Sequence, residues 1–457
     1  MQSFDVVVIG GGPGGMTAAM TLNQLGKTVA IIQAENDHFG GVCLNRGCMP
    51  TKSLLKAATA YRYARQGDKY GLSLSAEKVD LQRIRSVVDS DLETLKGMIR
   101  GMMGQVQIDV FRGFGSFQSE HEILISKVDG TSQVIRGEQI IISTGSETVE
   151  LPFAPFDGQY ILSSDQMLKN TEIPEKLLII GGGAIGCEFA TLYHTFGSEV
   201  SVVEALETLL PREDKEAGKA LQDAFEAQNI TVKTGTMVEQ LTVQNDQVIV
   251  KYQGIETPEI VNKVLIGVGR KPNIDTLNLN AAGVRVEKGA VSVNSTMQTS
   301  VSHIYALGDV TGGVMLAHAA EMAGQLLAKN MVQGTHVSLE EIAVPRVAFS
   351  HPEVAGVGVS HESEGIRSFT ISPVPNGRSV VDKVTPAFVK LFVEEQNSVV
   401  AGAIIVGEAA TEMIHELTLA VQNRLTLSQI GGTVHAHPTH SANVSTAVHQ
   451  MQAFRSS

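Results

Sequence analysis

At 457 residues, 43% of them hydrophobic and 18% charged, the chain is long enough for about three domains of ordinary size and too long for a single core. Its 35 Lys and Arg against 48 Asp and Glu give a formal charge of −13, which repels a phosphate backbone and argues against a nucleic-acid partner. No apolar run approaches the roughly 20 residues of a membrane helix, so no membrane partner is expected. Three cysteines are too few for a disulfide scaffold.

The N-terminus, Met1-Gln2-Ser3-Phe4-Asp5, carries no basic segment ahead of an apolar one, so a cytoplasmic protein is expected. Asp5-Val6-Val7-Val8-Ile9 reads as a buried strand, followed by the turn Gly10-Gly11-Gly12-Pro13-Gly14-Gly15 and a helical pattern to Leu25. Just beyond stand Cys43 and Cys48, in Gly40-Gly41-Val42-Cys43-Leu44-Asn45-Arg46-Gly47-Cys48-Met49-Pro50-Thr51-Lys52. Thiols at this spacing can close a small disulfide that a neighbouring electron carrier opens and closes; the alternative is an inert pair. Arg46 between them either lowers a thiol pKa, meets an acidic carrier, or is simply solvated.

Leu177-Leu178-Ile179-Ile180 repeats the first strand, and Gly181-Gly182-Gly183-Ala184-Ile185-Gly186 opens a second helix ending at Gly197. Gly10 to Gly26 and Gly181 to Gly197 both span 16 positions, and Gly10 to Gln33 and Gly181 to Glu204 both span 23. Each turn lets the backbone approach a pyrophosphate at a helix N-terminus, so two dinucleotides are expected. Glu204, after Val200-Ser201-Val202-Val203, can accept hydrogen bonds from ribose hydroxyls and repel a 2′-phosphate, which favours NAD over NADP. Gln33 holds the equivalent place in the first copy, with Glu35 two residues on; the alternative for either copy is a solvated strand end. Cys187, with no cysteine near it in sequence, is expected to be a small buried residue.

Further on lie Thr299-Ser300-Val301-Ser302-His303-Ile304-Tyr305-Ala306-Leu307-Gly308-Asp309, then Val344-Pro345-Arg346-Val347-Ala348-Phe349-Ser350-His351-Pro352-Glu353-Val354, then His435-Ala436-His437-Pro438-Thr439. With the two glycine turns and the cysteine pair, these motifs make the chain resemble the FAD-dependent pyridine nucleotide-disulfide oxidoreductases over essentially its whole length, and within them the dihydrolipoamide dehydrogenases. The resemblance implies an α/β fold of two Rossmann-like dinucleotide-binding domains, for FAD and NAD, plus a C-terminal α+β interface or dimerisation domain. The implied boundaries are 1–145 and 267–342 for the FAD domain, 146–266 for the NAD domain and 343–457 for the interface domain.

For FAD the resemblance implies Gly10, Gly12, Pro13, Gly14, Gly15, Gln33, Ala34, Glu35, Gly41, Val42, Cys43, Lys52, Gly115, Thr144, Gly145, Ser146, Gly308, Asp309, Met315, Leu316, Ala317 and His318. For NAD it implies Gly181, Gly183, Ala184, Ile185, Gly186, Glu188, Glu204, Val238 and Gly269. Cys43 is then the exchange thiol and Cys48 the flavin-facing one, with His437 moving protons and a Lys52 to Glu188 pair beside the flavin; the alternative for that pair is a plain structural ion pair. The implied activity is NAD-linked oxidation of a protein-bound dihydrolipoyl dithiol by a homodimer, in which the residue matching His437 reaches the partner subunit's disulfide.

The chain departs from this pattern at one point. The carboxylate five residues after the catalytic histidine is replaced by Ala442, which weakens turnover of the dithiol unless Asn443, His440 or another residue substitutes. Competing readings are a lipoyl-carrier-binding or redox-sensing flavoprotein with little turnover, and a metal-ion or other disulfide reductase. The end of the chain, Gln452 to Ser457, lacks the cysteine pair of the metal reductases. His435, His437 and His440 as metal ligands are disfavoured by Pro438 and by the lack of a cysteine or carboxylate in the motif, so no metal is expected.

Overall fold

The computed structural model describes residues 1–34, 39–74, 78–371, 375–385 and 387–456. It comprises two compact units, one of Met1–Ser53, Arg85–Val149 and Arg270–Ile342, the other of Leu54–Ile84, Glu150–Gly269 and Ala343–Ser457. Both are mixed α/β, as the motif pattern predicts.

In the first unit, β1 (Gln2–Ile9), β2 (Val29–Gln33), β3 (Ile108–Arg112), β4 (Phe114–Phe117), β5 (Glu122–Ser126) and β6 (Ser132–Ile142) lie in the order β3-β2-β1-β6-β5-β4, and strand Ile304–Ala306 also pairs with β6. The β3-β2-β1-β6 pairings are parallel and the β6-β5-β4 pairings antiparallel. Val6 and Val8 enter a cluster with Met16, Leu22 and Leu327, whereas Val7 and Ile9 enter another with Ile32, Ile140 and Ile304. Covering both faces of the sheet is why β1 is a continuous apolar run rather than an alternating one. Across one face runs α1 (Pro13–Gln24), against the helix Ala317–Gln333. The two approach closely because a Cβ on Gly324 would collide with the Gly14 carbonyl, and one on Gly14 would come within 2.8 Å of the Ala320 carbonyl.

The second unit repeats the parallel plan. Thr231–Lys233, Glu199–Val203, Lys176–Ile180, Lys263–Ile266 and Ile161–Ser163 form a five-stranded parallel sheet in that order, beside a three-stranded antiparallel sheet of Val238–Gln244, Gln247–Tyr252 and Ile255–Val261. Its C-terminal part is an antiparallel sheet, ordered Arg346–Ala348, Glu353–Gly358, Val400–Gly407, Phe388–Glu394 and Ile366–Ile371. The alternate residues Val389, Leu391, Val393, Ala403 and Ile405 share a core with Met413, Ile414 and Leu417 of helix Ala410–Gln422 and Val444, Ala447 and Val448 of helix Ala442–Ser456.

A charged cluster ties the helix Lys215–Ala227 to this sheet. The buried Lys390 ammonium lies 3.0 Å from Asp214 Oδ2 and 3.2 Å from Glu216 Oε1, while Arg346 makes a two-pronged pair with Glu213 at 2.7 and 3.0 Å. Removing one partner of a buried pair leaves the other charge uncompensated. Lys390→Met is therefore expected to lower the unfolding free energy by about 3 kcal/mol, measured by urea denaturation, whereas a loss within about 0.5 kcal/mol, the usual range for surface changes, would contradict the cluster's structural role.

Candidate active site

The first glycine turn joins β1 to α1. Gly10 has φ +112°, and a Cβ there would strike the Ser143 carbonyl, so the tight turn needs glycine. Gly12 is the N-cap of α1, with Pro13 in the first helical turn, and open space lies where a Gly12 side chain would project. That space at the exposed N–H end of a helix has the form of a cradle able to receive a pyrophosphate. Ser143, which the sequence reading missed, donates its hydroxyl to Gly10 O at 2.9 Å and braces the turn. Gln33 ends β2 in a buried position and Ala34 follows; Glu35 lies outside the described residues.

Other residues expected at this cradle lie in the same unit. Asp309 is in the short 3-10 turn Gly308–Thr311, and its Oδ2 accepts the Ser146 hydroxyl at 2.5 Å. Ser146 is held in turn by Arg270, whose Nε donates to Ser146 Oγ and whose Nη2 donates to Ser146 O, both at 2.8 Å. Arg270 carried no motif and was not anticipated. Thr144 donates to Asn273 O at 2.7 Å, and Gly145 has φ +71°. A Cβ on Gly115 would come within 3.1 Å of Ile9 and 3.2 Å of Ile32, so its backbone lies over the ends of β1 and β2. Met315 and Leu316 lead into the helix that Ala317 and His318 begin.

The cysteines are tethered to this turn. Gly40 donates its N–H to Gly11 O at 2.9 Å, and a Cβ on Gly41 would reach 2.9 Å from Gly12 Cα. From there α2 (Gly41–Arg46) carries Val42 and Cys43, Gly47 breaks the helix, and Cys48 is the first residue of α3 (Cys48–Arg65). Asn45 and Thr51 close the break, donating to Gly41 O at 2.8 Å and Gly47 O at 2.7 Å. Both cysteines are half-buried free thiols joined by a hydrogen bond. Lys52 stands one helical turn after Cys48, and Arg46 at the exposed end of α2.

The Cys43 thiol is pushed far above its ordinary range, first by the hydrogen bond with Cys48, then by burial and by the charges of Cys48 and Glu321, with Lys52 opposing. In the dithiol state Cys43 is therefore protonated at neutral pH. Alkylation of Cys43 by iodoacetamide in the reduced protein is expected to keep accelerating from about pH 7 to 10, because only the thiolate reacts. A plateau reached below pH 7 would contradict this.

The second glycine turn, in the other unit, has the same construction. Gly181 has φ +111° and packs against the Gly267 carbonyl as Gly10 does against Ser143; Gly183 is the N-cap of helix Ala184–Phe196, again beside open space. Ala184, Ile185 and Gly186 form the first turn of that helix, which ends at Gly197 in the left-handed conformation. Buried Glu204 accepts Gly182 N–H on Oε2 at 2.7 Å and Leu206 N–H on Oε1 at 2.8 Å, which fixes the carboxylate beside the turn. Charge-assisted hydrogen bonds of this kind contribute about 1.5–3 kcal/mol. Glu204→Ala should accordingly raise KM for NAD about 10- to 100-fold, and an unchanged KM would remove Glu204 from the site.

Val238 begins a strand at the buried end of the antiparallel sheet, and Gly269 has φ +123°. Buried Glu188 accepts Phe349 N–H at 3.0 Å on Oε1. Cys187 is fully buried with its thiol pushed well up by burial, as expected of a packing residue.

Near the C-terminus His437 is exposed, and a Cβ on Gly377 would lie 3.6 Å from its Cε1 and 3.8 Å from its Nε2. Among the described residues no carboxylate pairs with His437. His435 Nε2 instead donates to Glu416 Oε1 at 2.9 Å and His440 Nε2 to Asp382 Oδ2 at 2.9 Å. Asn443 accepts Asn376 Nδ2–H at 2.7 Å. Among the described residues no group of three or more His, Cys, Asp or Glu could hold a metal ion, and no helix is long and apolar enough to cross a membrane.

The profile of the pyridine nucleotide-disulphide oxidoreductases matches residues 4–324, and that of their dimerisation domain matches residues 344–448. The chain belongs to this family. A dihydrolipoyl dehydrogenase of Chlamydia muridarum is 38% identical over 96% of this chain and 94% of its own length, and one of Bacillus subtilis is 35% identical over 95% and 96%. Among solved structures, the copper(II) complex of the HOCl-induced flavoprotein disulfide reductase RclA from Escherichia coli has a TM-score of 0.88 at 27% identity, covering 98% of this chain and all of that one. The chain is thus an FAD-dependent oxidoreductase acting on sulfur groups, with FAD and NAD(H) as its cofactors and a homodimer as its assembly. The two cradles and the buried Glu204 fit those cofactors.

Proposed function

We propose that the chain is an NAD-linked dihydrolipoyl dehydrogenase acting on a lipoyl group borne by a carrier protein in the cytoplasm. The observation that supports this most is the tether from the first glycine turn to the cysteine pair, because it fixes a reversible dithiol beside a cofactor cradle. The names of the relatives support the substrate class.

The chemistry divides between the two cysteines. A substrate thiolate attacks Cys43 Sγ in the Cys43–Cys48 disulfide, and Cys48 leaves as a thiolate while a mixed disulfide forms on Cys43. The second substrate thiol, losing its proton to His437 of the partner subunit, attacks the substrate sulfur of that mixed disulfide. Lipoyl disulfide is released, Cys43 leaves as a thiolate, and the substrate has lost two electrons to the cysteine pair. FAD, which Gly10 to Gly15, Lys52 and Asp309 would hold, would supply the passage of that electron pair to NAD. Glu204, fixed beside the second glycine turn, would hold the adenosine ribose of NAD.

A second reading, a reductase that draws on NADH to open some other disulfide, gains support from Ala442, since a weakened base handicaps dithiol oxidation more than delivery of electrons to the cysteines. NAD reduction by dihydrolipoylated carrier domains separates the two: turnover supports the dehydrogenase, and NADH consumption with an oxidised acceptor alone supports the reductase.

A further inference from the structure

The loop that carries His437 has an unusual arrangement of carboxylates. Neither bonds to His437, yet each neighbouring histidine has one. His435 presents both ring nitrogens to acceptors, Nδ1 to Thr433 O at 3.1 Å and Nε2 to Glu416 on the helix Ala410–Gln422. His440 donates to Asp382, the last residue of the short helix Gly377–Asp382. Arg378 Nε also donates to Asp382 Oδ2, at 2.6 Å. Although burial opposes it, the bonds from Arg378 and His440 hold the Asp382 carboxyl below its usual range. Both histidine side chains are largely buried, at 8% and 13% exposure, while His437 between them is exposed.

We propose that His435 with Glu416 and His440 with Asp382 are positioning pairs that pin both ends of the 435–440 loop and so orient His437, replacing at two flanking points the single carboxylate absent at Ala442. The inference rests on the reading of His437 as the proton acceptor. Four bonds, from Thr433 O, Glu416, Asp382 and the Asn376–Asn443 pair just beyond, leave the loop little freedom. A Cβ on Gly377, at the start of its helix, would lie at ordinary contact distance from the imidazole edge, 3.6 Å from Cε1. A pinned imidazole loses less entropy on reaching the substrate thiol than a free one, which is the gain an orienting carboxylate otherwise provides.

The test compares Glu416→Gln, Asp382→Asn and the double variant with the native holoenzyme, using free dihydrolipoamide and NAD, and reads NADH-to-quinone turnover in parallel as a reaction that needs the flavin but not His437. Expected are a kcat for dihydrolipoamide lowered about tenfold or more in the double variant, an unchanged KM, unchanged quinone turnover, and faster backbone hydrogen exchange over 433–441. Glu416→Asp, which keeps a carboxylate, should recover part of the loss. If the double variant loses its flavin or its quinone turnover, His435→Asn with His440→Asn is measured in its place under the same criteria. Native kcat and native exchange in either double variant would overturn the positioning role. His437→Gln distinguishes the two levels: full dithiol turnover in that variant would defeat the reading of His437 itself, whereas loss there with native rates in the clamp variants would defeat the clamps alone.

Discussion

Replacing Cys43 with serine is expected to lower NAD reduction by dihydrolipoamide about 10⁴-fold or more, while NADH oxidation by a small quinone, which bypasses the disulfide, persists. The magnitude follows from what the residue does. Cys43 carries the only sulfur proposed to form the covalent link with substrate, and serine can neither accept a disulfide nor release one. Cys187 is not expected to substitute, since it is fully buried and its thiol is pushed up by burial. Cys48→Ser should be equally inactive in the dithiol reaction but should leave the Cys43 thiolate able to attack the disulfide of oxidised lipoamide, opening it to a mixed disulfide and a free lipoyl thiol, detectable as a mass increase on the intact protein. Retained dithiol turnover in Cys43→Ser would show that electrons enter by another route.

His437→Gln is the second large effect. General acid–base catalysis contributes about 10²–10⁴-fold, and the need for it here is acute. A substrate dithiol begins with a thiol pKa of about 8.5 or higher, so at neutral pH too little thiolate forms without a base. The loss is expected mainly in kcat for dihydrolipoamide, by about 10²-fold at least, with KM for NAD unchanged because that nucleotide is proposed to bind at Gly181 to Gly186 and Glu204. The deficit should shrink as pH rises toward the substrate thiol pKa, because hydroxide and the solvent then take over deprotonation. A variant with the native rate at pH 7 would remove His437 from the chemistry.

Both glycine turns were legible in the sequence because the constraint behind them is local. Only glycine accepts φ near +110° against a neighbouring carbonyl, and the two copies share even the spacing to Gln33 and Glu204. The cysteine pair was legible for the same reason: its helix break, its tether and its relation to the turn all lie within forty or so residues of chain. What was not legible depends on contacts between distant segments. Asp382 lies 58 residues from His440, Arg270 is 124 from Ser146, and Gly324 meets Gly14 across two helices far apart in sequence. No spacing rule announces such partners. The sequence did expose the missing carboxylate at Ala442, and it named His440 and Asn443 as substitutes. In the structure neither takes over that bond directly: His440 pairs with Asp382 and Asn443 with Asn376, and the carboxylates appear on the neighbours of His437.

Oxidation of a lipoyl dithiol for NAD by this cysteine pair is what the proposed function requires. Its most direct test is the rate of NADH formation by the native holodimer with free dihydrolipoamide, set beside a panel of dihydrolipoylated carrier domains. Turnover in the ordinary enzymatic range of about 1–10³ s⁻¹ is expected with at least one carrier domain. Background rates with every dithiol, from a protein whose Cys43–Cys48 disulfide is still reduced by NADH, would contradict it.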